Sequence, residues 1–286
     1  MASIQKRGKK YAVVYTYEDA EGEKRQKWET LSTKKEALAR KAQVENEINN
    51  GSFIPPSVVT VRCFLQDFVE IYGSKRWGLS AYSSNVSLIN NYINPIMGDT
   101  YIQDINRRKV DSFIMTLQKT PPVETPYRHA QTEYVTPCTI EKIVKLLHCA
   151  FRQAVRWDMI AKNPFEDVLL PKRERKQREM WTADTIRKAL DNCTDGKLYI
   201  AINLAFACSL RFGEITGLTW DCVHISDTDI ANDDAFLVVE KVLSRVDQKS
   251  IDAIGDNDIY FVFPRLMGGK STTRLVLKKP KTESSI

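Results

Sequence analysis

The sequence predicts a multidomain α+β protein: a small three-stranded sheet with one helix, then a four-helix bundle, then part of a mixed α/β domain. Alternating aromatic and β-branched residues near the N-terminus predict the sheet. Apolar residues at helical spacing across the middle of the chain predict the bundle. An apolar run followed by strand-like stretches predicts the last domain. The length of 286 residues suits two or three domains.

The composition is that of a globular protein with a mild basic excess. Hydrophobic residues make up 43% of the chain and charged residues 27%. The chain has 42 Lys and Arg against 36 Asp and Glu, which gives a net charge of +6. Because this excess is small, the distribution of the cations and not their number must decide whether nucleic acid is a partner. Residues 1–10 are polar, and the longest apolar run, residues 198–210, is interrupted by Asn203 and too short to span a bilayer. We therefore expect no secretory signal, no membrane partner and a cytoplasmic location.

The cysteine pattern argues against a disulfide framework and against a metal site. The six cysteines contain no Cys-x-x-Cys pair; they are Cys63, Cys138, Cys149, Cys193, Cys208 and Cys222. Only three histidines are present, and His224 beside Cys222 has no second pair of ligands nearby. Buried free thiols in a reducing compartment are the expected state. The sequence predicts no bound metal.

The first predicted domain covers residues 1–55. Residues 11–17 and 24–30 are strand-like, and a shorter strand is expected near residues 3–7. Thr33 followed by Glu36 predicts a capping box at the start of a helix that carries Ala37, Lys41, Val44 and Ile48 on one stripe. A unit this small buries little apolar surface, so its core is expected to be marginal by itself.

The second predicted domain covers residues 58–170 and is helical. Thr60 is the expected cap of a helix that carries Phe64, Phe68 and Ile71 on its apolar stripe, and Ser80 is the expected cap of the next. Further helices are predicted at residues 107–118 and 139–157, on either side of a proline-rich break. Four amphipathic helices with short links predict a bundle.

A basic linker and a third domain complete the chain. Residues 171–180 are rich in cations and lack apolar side chains over most of their length, which is typical of an exposed linker. The domain at 181–286 should begin with a helix capped by Thr182, followed by a largely buried helix at 198–209 and a short one at 211–218. Strands are expected at 235–243, 259–264 and 273–278.

The candidate site residues lie in this third domain. Arg211 stands between two apolar helices with Glu214 three residues on, and a guanidinium in such surroundings needs an anion. That anion is either Glu214, in a structural pair, or a ligand phosphate. Farther on, apolar strand residues lead into a cationic turn at Lys281, whose ammonium could exchange a proton with a phosphate ester. The alternative for that turn is a solvated basic loop.

These motifs resemble those of a known family. The pattern Leu210-Arg211-x-x-Glu214-Ile215-x-x-Leu218-x-Trp220-Asp221 resembles the first catalytic-arginine box of the tyrosine recombinases, the integrases of phages and conjugative transposons. The turn Pro280-Lys281-Thr282-x-x-Ser285 resembles their catalytic-lysine hairpin. The order of domains is similar too: an arm-type DNA-binding module, a helical core-binding domain, and the N-terminal part of a catalytic domain.

The resemblance implies a site-specific DNA recombinase that cleaves and rejoins strands through a phosphotyrosine. Arg211 would be one of two arginines that stabilise the non-bridging oxygens of the scissile phosphate, with Glu214 as its support. Lys281 would protonate the leaving 5′-oxygen. Neither a metal nor any other cofactor is implied, and the sequence contains no P-loop and no convincing set of carboxylates for a metal-dependent transposase.

The chain departs from the family pattern in two places. Ser209 stands where many members have Gly, two residues before the arginine. No His-x-x-Arg motif and no tyrosine follows Lys281, so the nucleophile position has no match. We therefore expect a C-terminally truncated integrase that binds DNA and does not cleave it alone. The alternative is a non-catalytic DNA-binding protein that occupies recombination sites or regulates a mobile element. A structural or protein-interaction module is disfavoured by the conjunction of the motifs.

The expected partner is double-stranded DNA at attachment core and arm sites, with self-association on DNA and an excision factor as further expectations. The candidate phosphate contacts are cations of the first two domains, and each is alternatively a solvated surface charge. They are Lys6, Arg7, Lys9, Lys10, Lys24, Arg25 and Lys27 on the sheet, and Arg107, Arg108, Lys142 and Lys145 on the bundle. If the sheet enters the major groove, Tyr15 or Gln26 is expected to touch base edges.

Overall fold

A computed structural model describes residues 2–18, 22–50, 53–56, 58–124, 129–173, 179–255, 258–264 and 272–280. The chain divides into two compact units. The first unit contains residues 1–68 and 88–173, and the second contains residues 69–87 and 174–286. The second unit therefore includes a helical stretch that the sequence assigned to the bundle. The domain boundaries given above stay a prediction.

The first unit begins with a three-stranded antiparallel sheet in the order β1-β2-β3, with one helix packed on one face. Its elements are β1 (Ser3–Arg7), β2 (Lys10–Glu18), β3 (Lys24–Leu31) and α1 (Lys34–Asn49). The Thr33 hydroxyl accepts the Glu36 backbone N–H at 3.2 Å, and the Glu36 carboxylate accepts the Thr33 backbone N–H, so the predicted capping box is confirmed. The core between sheet and helix contains Val13, Tyr15, Ala37 and Val44. Ile48, predicted to lie on the same stripe, is 37% exposed.

A hydrogen-bonded network joins the sheet to α1 beside this core. The Tyr15 hydroxyl donates to Glu29 Oε1 at 2.5 Å, and Arg40 Nε donates to Glu29 Oε2 at 2.7 Å. The hydrogen bond from Arg40 lowers the pKa of Glu29, and burial, then Glu29, raises the pKa of Tyr15. Tyr15 is only 2% exposed. The expectation that Tyr15 touches a base edge is therefore wrong, because its position in β2 turns it toward α1.

Glu29→Gln is expected to destabilise the first unit by about 1 kcal/mol, since a charge-assisted hydrogen bond is lost at a partly exposed site. The lowered pKa means that the stabilising effect of Glu29 is present at neutral pH and is lost as the pH falls below about 4. Thermal unfolding measured between pH 7 and pH 3 should therefore show a weaker pH dependence in the variant. Glu18→Gln, an exposed carboxylate at the end of β2, is the control. Equal pH dependence in wild type and Glu29→Gln would contradict the role of this network.

The helical part of the chain begins with α2, is interrupted by two π-helical stretches, and ends with a long amphipathic helix. The elements are α2 (Val61–Asp67), a π-helical stretch (Phe68–Gly73), α3 (Ser74–Arg76), α4 (Leu79–Leu88), a second π-helical stretch (Ile89–Ile93), α5 (Asn94–Met97), a 3₁₀ turn (Ile102–Asp104), α6 (Arg107–Leu117) and α7 (Pro137–Arg156). Phe64, Phe68, Phe151 and Phe165 are almost fully buried in the first unit.

Two local predictions for these helices are wrong. Ile71 is 54% exposed, because the π-helical winding of Phe68–Gly73 rotates it away from the apolar stripe that a regular α-helix would have. Ser80 does not cap its helix: α4 already begins at Leu79, so Ser80 lies within the first turn. Thr60 does cap α2, since its hydroxyl accepts the Cys63 backbone N–H at 3.3 Å.

The second unit combines short helices with two small sheets. The elements after residue 179 are α8 (Ala183–Asp191), α9 (Gly196–Ala207), α10 (Phe212–Gly217), a 3₁₀ turn (Trp220–Cys222), β4 (Val223–His224), α11 (Asp227–Ala231), β5 (Phe236–Leu237), β6 (Val242–Asp247), α12 (Gln248–Ile254), β7 (Ile259–Val262) and β8 (Thr273–Lys278). Strands β6, β8 and β7 pair antiparallel in that order, and β4 pairs with β5. The predicted strand at 235–243 is thus divided between β5 and β6. Leu79, Val246 and Val276 form a buried hydrophobic cluster of the second unit.

Helix α9 is the largest departure from the expected burial. The sequence predicts a largely buried helix here, yet none of its residues is buried. Leu198 is 54% exposed, Ile200 59% and Phe206 55%. A helix that is apolar on every side requires neighbours on every side, and the described residues cover it only partly.

The prediction that the cysteines are buried holds only for Cys222. The six cysteines form no disulfide, but only Cys222 is buried, while Cys63 and Cys208 are exposed. In the described part of the chain, no helix has both the length and the apolar character that crossing a membrane requires.

Candidate active-site fragment and DNA-contact surfaces

Arg211 lies at the start of α10, in a sharp bend after α9. Its backbone is extended, with φ −77° and ψ 153°, and it immediately precedes the helix. Ser209, two residues earlier, has a φ of 55°, a left-handed conformation that favours glycine. The bend therefore explains in physical terms why Gly suits the position at which this chain has Ser.

Ser209→Gly is expected to stabilise the second unit by about 0.5 kcal/mol, because relief of the left-handed strain slightly exceeds the extra flexibility that Gly gives to the unfolded chain. Chemical denaturation measures this difference. Ser209→Ala is the matched control, since it removes the same hydroxyl and keeps the strain. A stabilisation of equal size in both variants would show that strain at this bend is not the cause.

A buried carboxylate holds the Arg211 side chain from one side. Glu214 Oε2 accepts the Arg211 backbone N–H at 2.8 Å, and Glu214 Oε1 accepts Arg211 Nη1 at 2.8 Å. The backbone and then the guanidinium of Arg211 lower the pKa of Glu214, which keeps the carboxylate ionised. The Glu214 side chain is 9% exposed, whereas the Arg211 side chain is 78% exposed. The structural pair predicted as one alternative is therefore present, and it leaves most of the guanidinium open to an external anion.

Two glycines bring α10 into direct backbone contact with strand β6. A Cβ atom on Gly213 would lie 2.9 Å from Val242 Cγ1 and 3.0 Å from the Leu243 carbonyl oxygen. A Cβ atom on Gly217 would lie 2.7 Å from the Leu243 nitrogen and 2.9 Å from the Lys241 carbonyl oxygen. All four distances are too short for a side chain, so a larger residue at either position would require α10 or β6 to move. These glycines therefore set the distance between the arginine helix and the sheet.

The start of β6, where α10 packs, lies beside the end of β8, because the two strands are antiparallel. Lys278, the last residue of β8, pairs with Val242, the residue that Gly213 contacts. The arginine helix and the end of the predicted lysine hairpin are therefore attached to one end of one strand. Lys281 itself lies outside the described residues.

Lys241 is a residue of this region that the sequence reasoning missed. Its ammonium donates to Thr219 Oγ1 at 2.9 Å and to the Asp221 carboxylate, and its side chain is only 17% exposed. The Lys241 hydrogen bond lowers the pKa of Asp221 to about 2. These contacts tie the turn after α10 to the start of β6. Asp221 belonged to the predicted arginine box, but no sequence signal identified its partner.

In the first unit, strand alternation divides the candidate DNA-contact cations of the sheet between its two faces. Lys6, Lys27 and Arg25 pair with Tyr11, Tyr15 and Tyr17, whose side chains face α1. The opposite face of the sheet, called the open face, carries three of the candidate cations: Arg7, Lys10 and Lys24. Gln26 and Trp28 project from the same face. The Arg7 guanidinium lies 4.5 Å from the centre of the Trp28 ring. Lys9 is exposed in the turn between β1 and β2.

The candidate cations of the helical bundle differ in how far they are free to contact DNA. The Arg107 guanidinium donates to the backbone carbonyls of Glu166 and Asp167, so it holds a loop of the first unit in place. Lys145 pairs with Glu141 at 2.6 Å. Arg108 and Lys142 are exposed, and among the described residues neither has an ion-pair partner.

Within the described ranges, no group of three or more His, Cys, Asp or Glu side chains could hold a metal ion.

Comparison with known proteins identifies the fold. Neither a protein-family model nor a curated protein matches the chain by sequence. Among solved structures, the chain is similar to the Tn1549 transposon integrase in complex with a circular intermediate DNA, at 17% identity and a TM-score of 0.54, covering 79% of this chain and 59% of that chain. A further structure of the Tn1549 transposon integrase in complex with circular intermediate DNA matches at 17% identity and a TM-score of 0.52, covering 75% of this chain and 70% of that chain. The chain therefore has an integrase fold, as the motif resemblance predicted.

Proposed function

We propose that this chain is a DNA-binding integrase polypeptide of the tyrosine-recombinase type, in which Arg211 binds a backbone phosphate of DNA. One observation carries the proposal: the Arg211 guanidinium is 78% exposed and is anchored through Nη1 by a buried carboxylate. A guanidinium held in this way can present its remaining N–H groups to two oxygens of one phosphate.

The neighbouring contacts support a positioning role for the elements around Arg211. Glu214 accepts both the backbone and the side-chain donors of Arg211, which limits the directions that the guanidinium can take. Gly213 and Gly217 hold α10 against β6, and Lys241 ties down the turn that follows. In a strand-cleavage reaction, a guanidinium fixed before the substrate arrives stabilises developing negative charge without a reorganisation cost. Lys281, as the resemblance implies, would supply the proton for the leaving oxygen.

In the first unit, the open face of the sheet is proposed to supply a second DNA contact. Arg7, Lys10 and Lys24 give it positive charge, and Gln26 adds an exposed amide that can pair with a base edge. Arg108 and Lys142 of the helical bundle are proposed as additional phosphate contacts. We also propose that copies of this chain associate with each other on attachment-site DNA.

We further propose that these 286 residues, taken by themselves, bind DNA without cleaving it. No tyrosine and no His-x-x-Arg motif follows Lys281, so the covalent step has no candidate nucleophile at the family position. A DNA substrate that traps covalent intermediates should give no protein–DNA adduct, and an adduct that maps to one of the chain's tyrosines would overturn this proposal.

The phosphate contact of Arg211 is tested by the salt dependence of duplex DNA binding. Each phosphate contact contributes about 0.9 to the slope of log affinity against log salt concentration. Arg211→Gln is therefore expected to lower that slope by about 1, as judged by fluorescence anisotropy at several salt concentrations. Arg187→Gln removes another exposed arginine of the second unit and serves as the control. An Arg211→Gln slope equal to that of wild type would contradict the proposal.

A further inference from the structure

The second unit contains a cavity of about 800 Å³ that lies apart from the contacts of Arg211. One wall is the stretch from Ser74 to Ala81, which contains α3 and the first turn of α4. The other wall is formed by the end of α12, the start of β7 and the end of β8. The lining includes Pro280, the first residue of the turn that resembles the catalytic-lysine hairpin, but neither Arg211 nor Glu214.

The charge of the cavity is strongly one-sided. Among the described residues that line it, four are cations, Lys75, Arg76, Lys278 and Lys279, and one is a carboxylate, Asp258. Within the part of the chain that the structure describes, Lys75, Arg76 and Lys279 have no ion-pair partner. Like charges held around one cavity repel each other, so an anionic ligand would stabilise the arrangement.

The walls of the cavity are anchored by packing within the second unit. Leu79 is buried with Val246 and Val276, which fixes the start of α4 on the sheet. The Trp77 ring lies against Gly73 so closely that a Cβ atom there would be 2.8 Å from two ring carbons. On the opposite wall, the Lys279 backbone N–H donates to the Asp258 carbonyl oxygen at 2.9 Å. The cations therefore stand on anchored elements and do not depend on a chance arrangement of loops.

We propose that this cationic cavity is a further contact surface for the phosphodiester backbone of DNA, separate from Arg211 and from the open face of the sheet. The inference rests on the proposed DNA-binding function. Duplex DNA is favoured over an acidic peptide because it carries a negative charge about every 1.7 Å of helix axis, a density that can neutralise several neighbouring cations at once. Arg76 supplies a planar donor group for one phosphate, and Lys75 and Lys279 supply point charges for its neighbours.

The first test compares two variants that remove the same charge. Lys75→Gln, Arg76→Gln and Lys279→Gln are combined in one variant, and Lys188→Gln, Lys197→Gln and Lys249→Gln are combined in the control. The control residues are exposed lysines of the second unit that do not line the cavity. The cavity variant is expected to lower the slope of log affinity against log salt by about 2 to 3, since three phosphate contacts are removed. The control should lower it by less than about 1.

A second test uses the wild-type protein, so that it does not depend on whether a variant folds. Lysine acetylation in the absence and presence of duplex DNA, read by mass spectrometry, should show that DNA protects Lys75 and Lys279 and leaves Lys188 and Lys249 reactive.

The outcomes separate the two proposals. Two outcomes would overturn the cavity proposal and leave the proposed function standing, provided that wild type binds DNA in a salt-dependent way. One is that DNA does not protect Lys75 and Lys279. The other is that the cavity variant and the control have equal slopes. Absence of salt-dependent DNA binding by wild type overturns both. Protection of the two lysines together with the larger loss of slope confirms the cavity as a DNA contact.

Discussion

Gly217→Ala is expected to destabilise the second unit by about 2 to 3 kcal/mol, because the added methyl group would overlap the backbone of a paired strand. The new Cβ would lie 2.7 Å from the Leu243 nitrogen and 2.9 Å from both the Lys241 carbonyl oxygen and the Val242 Cα. These are backbone atoms of a paired strand, so they cannot rotate away as a side chain could. Either α10 moves off β6 or the strand is displaced, and Arg211 moves with the helix.

Urea denaturation followed by circular dichroism measures this loss of stability. Gly196→Ala is the matched control, because no atom lies within 4 Å of the position where its Cβ would be added at the start of α9. That variant should keep or slightly gain stability, by up to about 1 kcal/mol, since alanine is the better helix former. We also expect Gly217→Ala to reproduce part of the loss of salt dependence that is expected for Arg211→Gln. Equal stability of Gly217→Ala and Gly196→Ala would show that the close approach of α10 to β6 is not real.

Removing the cations of the open face is expected to weaken duplex DNA binding by about 100-fold near 0.1 M salt, because three phosphate contacts are lost together. The variant combines Arg7→Gln, Lys10→Gln and Lys24→Gln. Fluorescence anisotropy with labelled duplex DNA gives the affinity. The slope of log affinity against log salt concentration should be lower than that of wild type by about 2 to 3.

The sheet supplies its own control for this prediction. Lys6→Gln, Arg25→Gln and Lys27→Gln remove the same charge from β1 and β3 of the same sheet, but from the face on which α1 packs. This control variant should lose less than about 10-fold in affinity, through the general change in charge alone. If the two variants lost affinity equally, net charge and not the open face would explain DNA binding, and the proposed surface would be withdrawn.

Local signals in the sequence predicted the elements that depend on neighbouring residues. The capping box of Thr33 and Glu36 forms because its partners are three residues apart. The predicted strand at 273–278 matches β8, because a short run of β-branched and apolar residues favours a strand without help from distant contacts. The arginine box likewise identified the helix that places Glu214 beneath Arg211, a contact across one turn.

The same local rules failed where a distant contact or an unusual winding intervened. The π-helical stretch moved Ile71 to the surface, and Tyr15 turned inward to join Glu29 and Arg40. Helix α9 reads as buried because it is apolar all round, but burial depends on neighbours that the described residues supply only in part.

By itself, then, the sequence determined the α+β class, most helices and strands, the arginine box and the family likeness, since all of these depend on residue type and short spacing. Only the tertiary structure decided which sheet cations share a face, how α10 rests on β6 through Gly213 and Gly217, that Lys241 binds Asp221, and that Lys75, Arg76 and Lys279 surround one cavity. These relations join residues that lie far apart in the chain. Their distances follow from packing and strand register, which no local pattern of residues encodes.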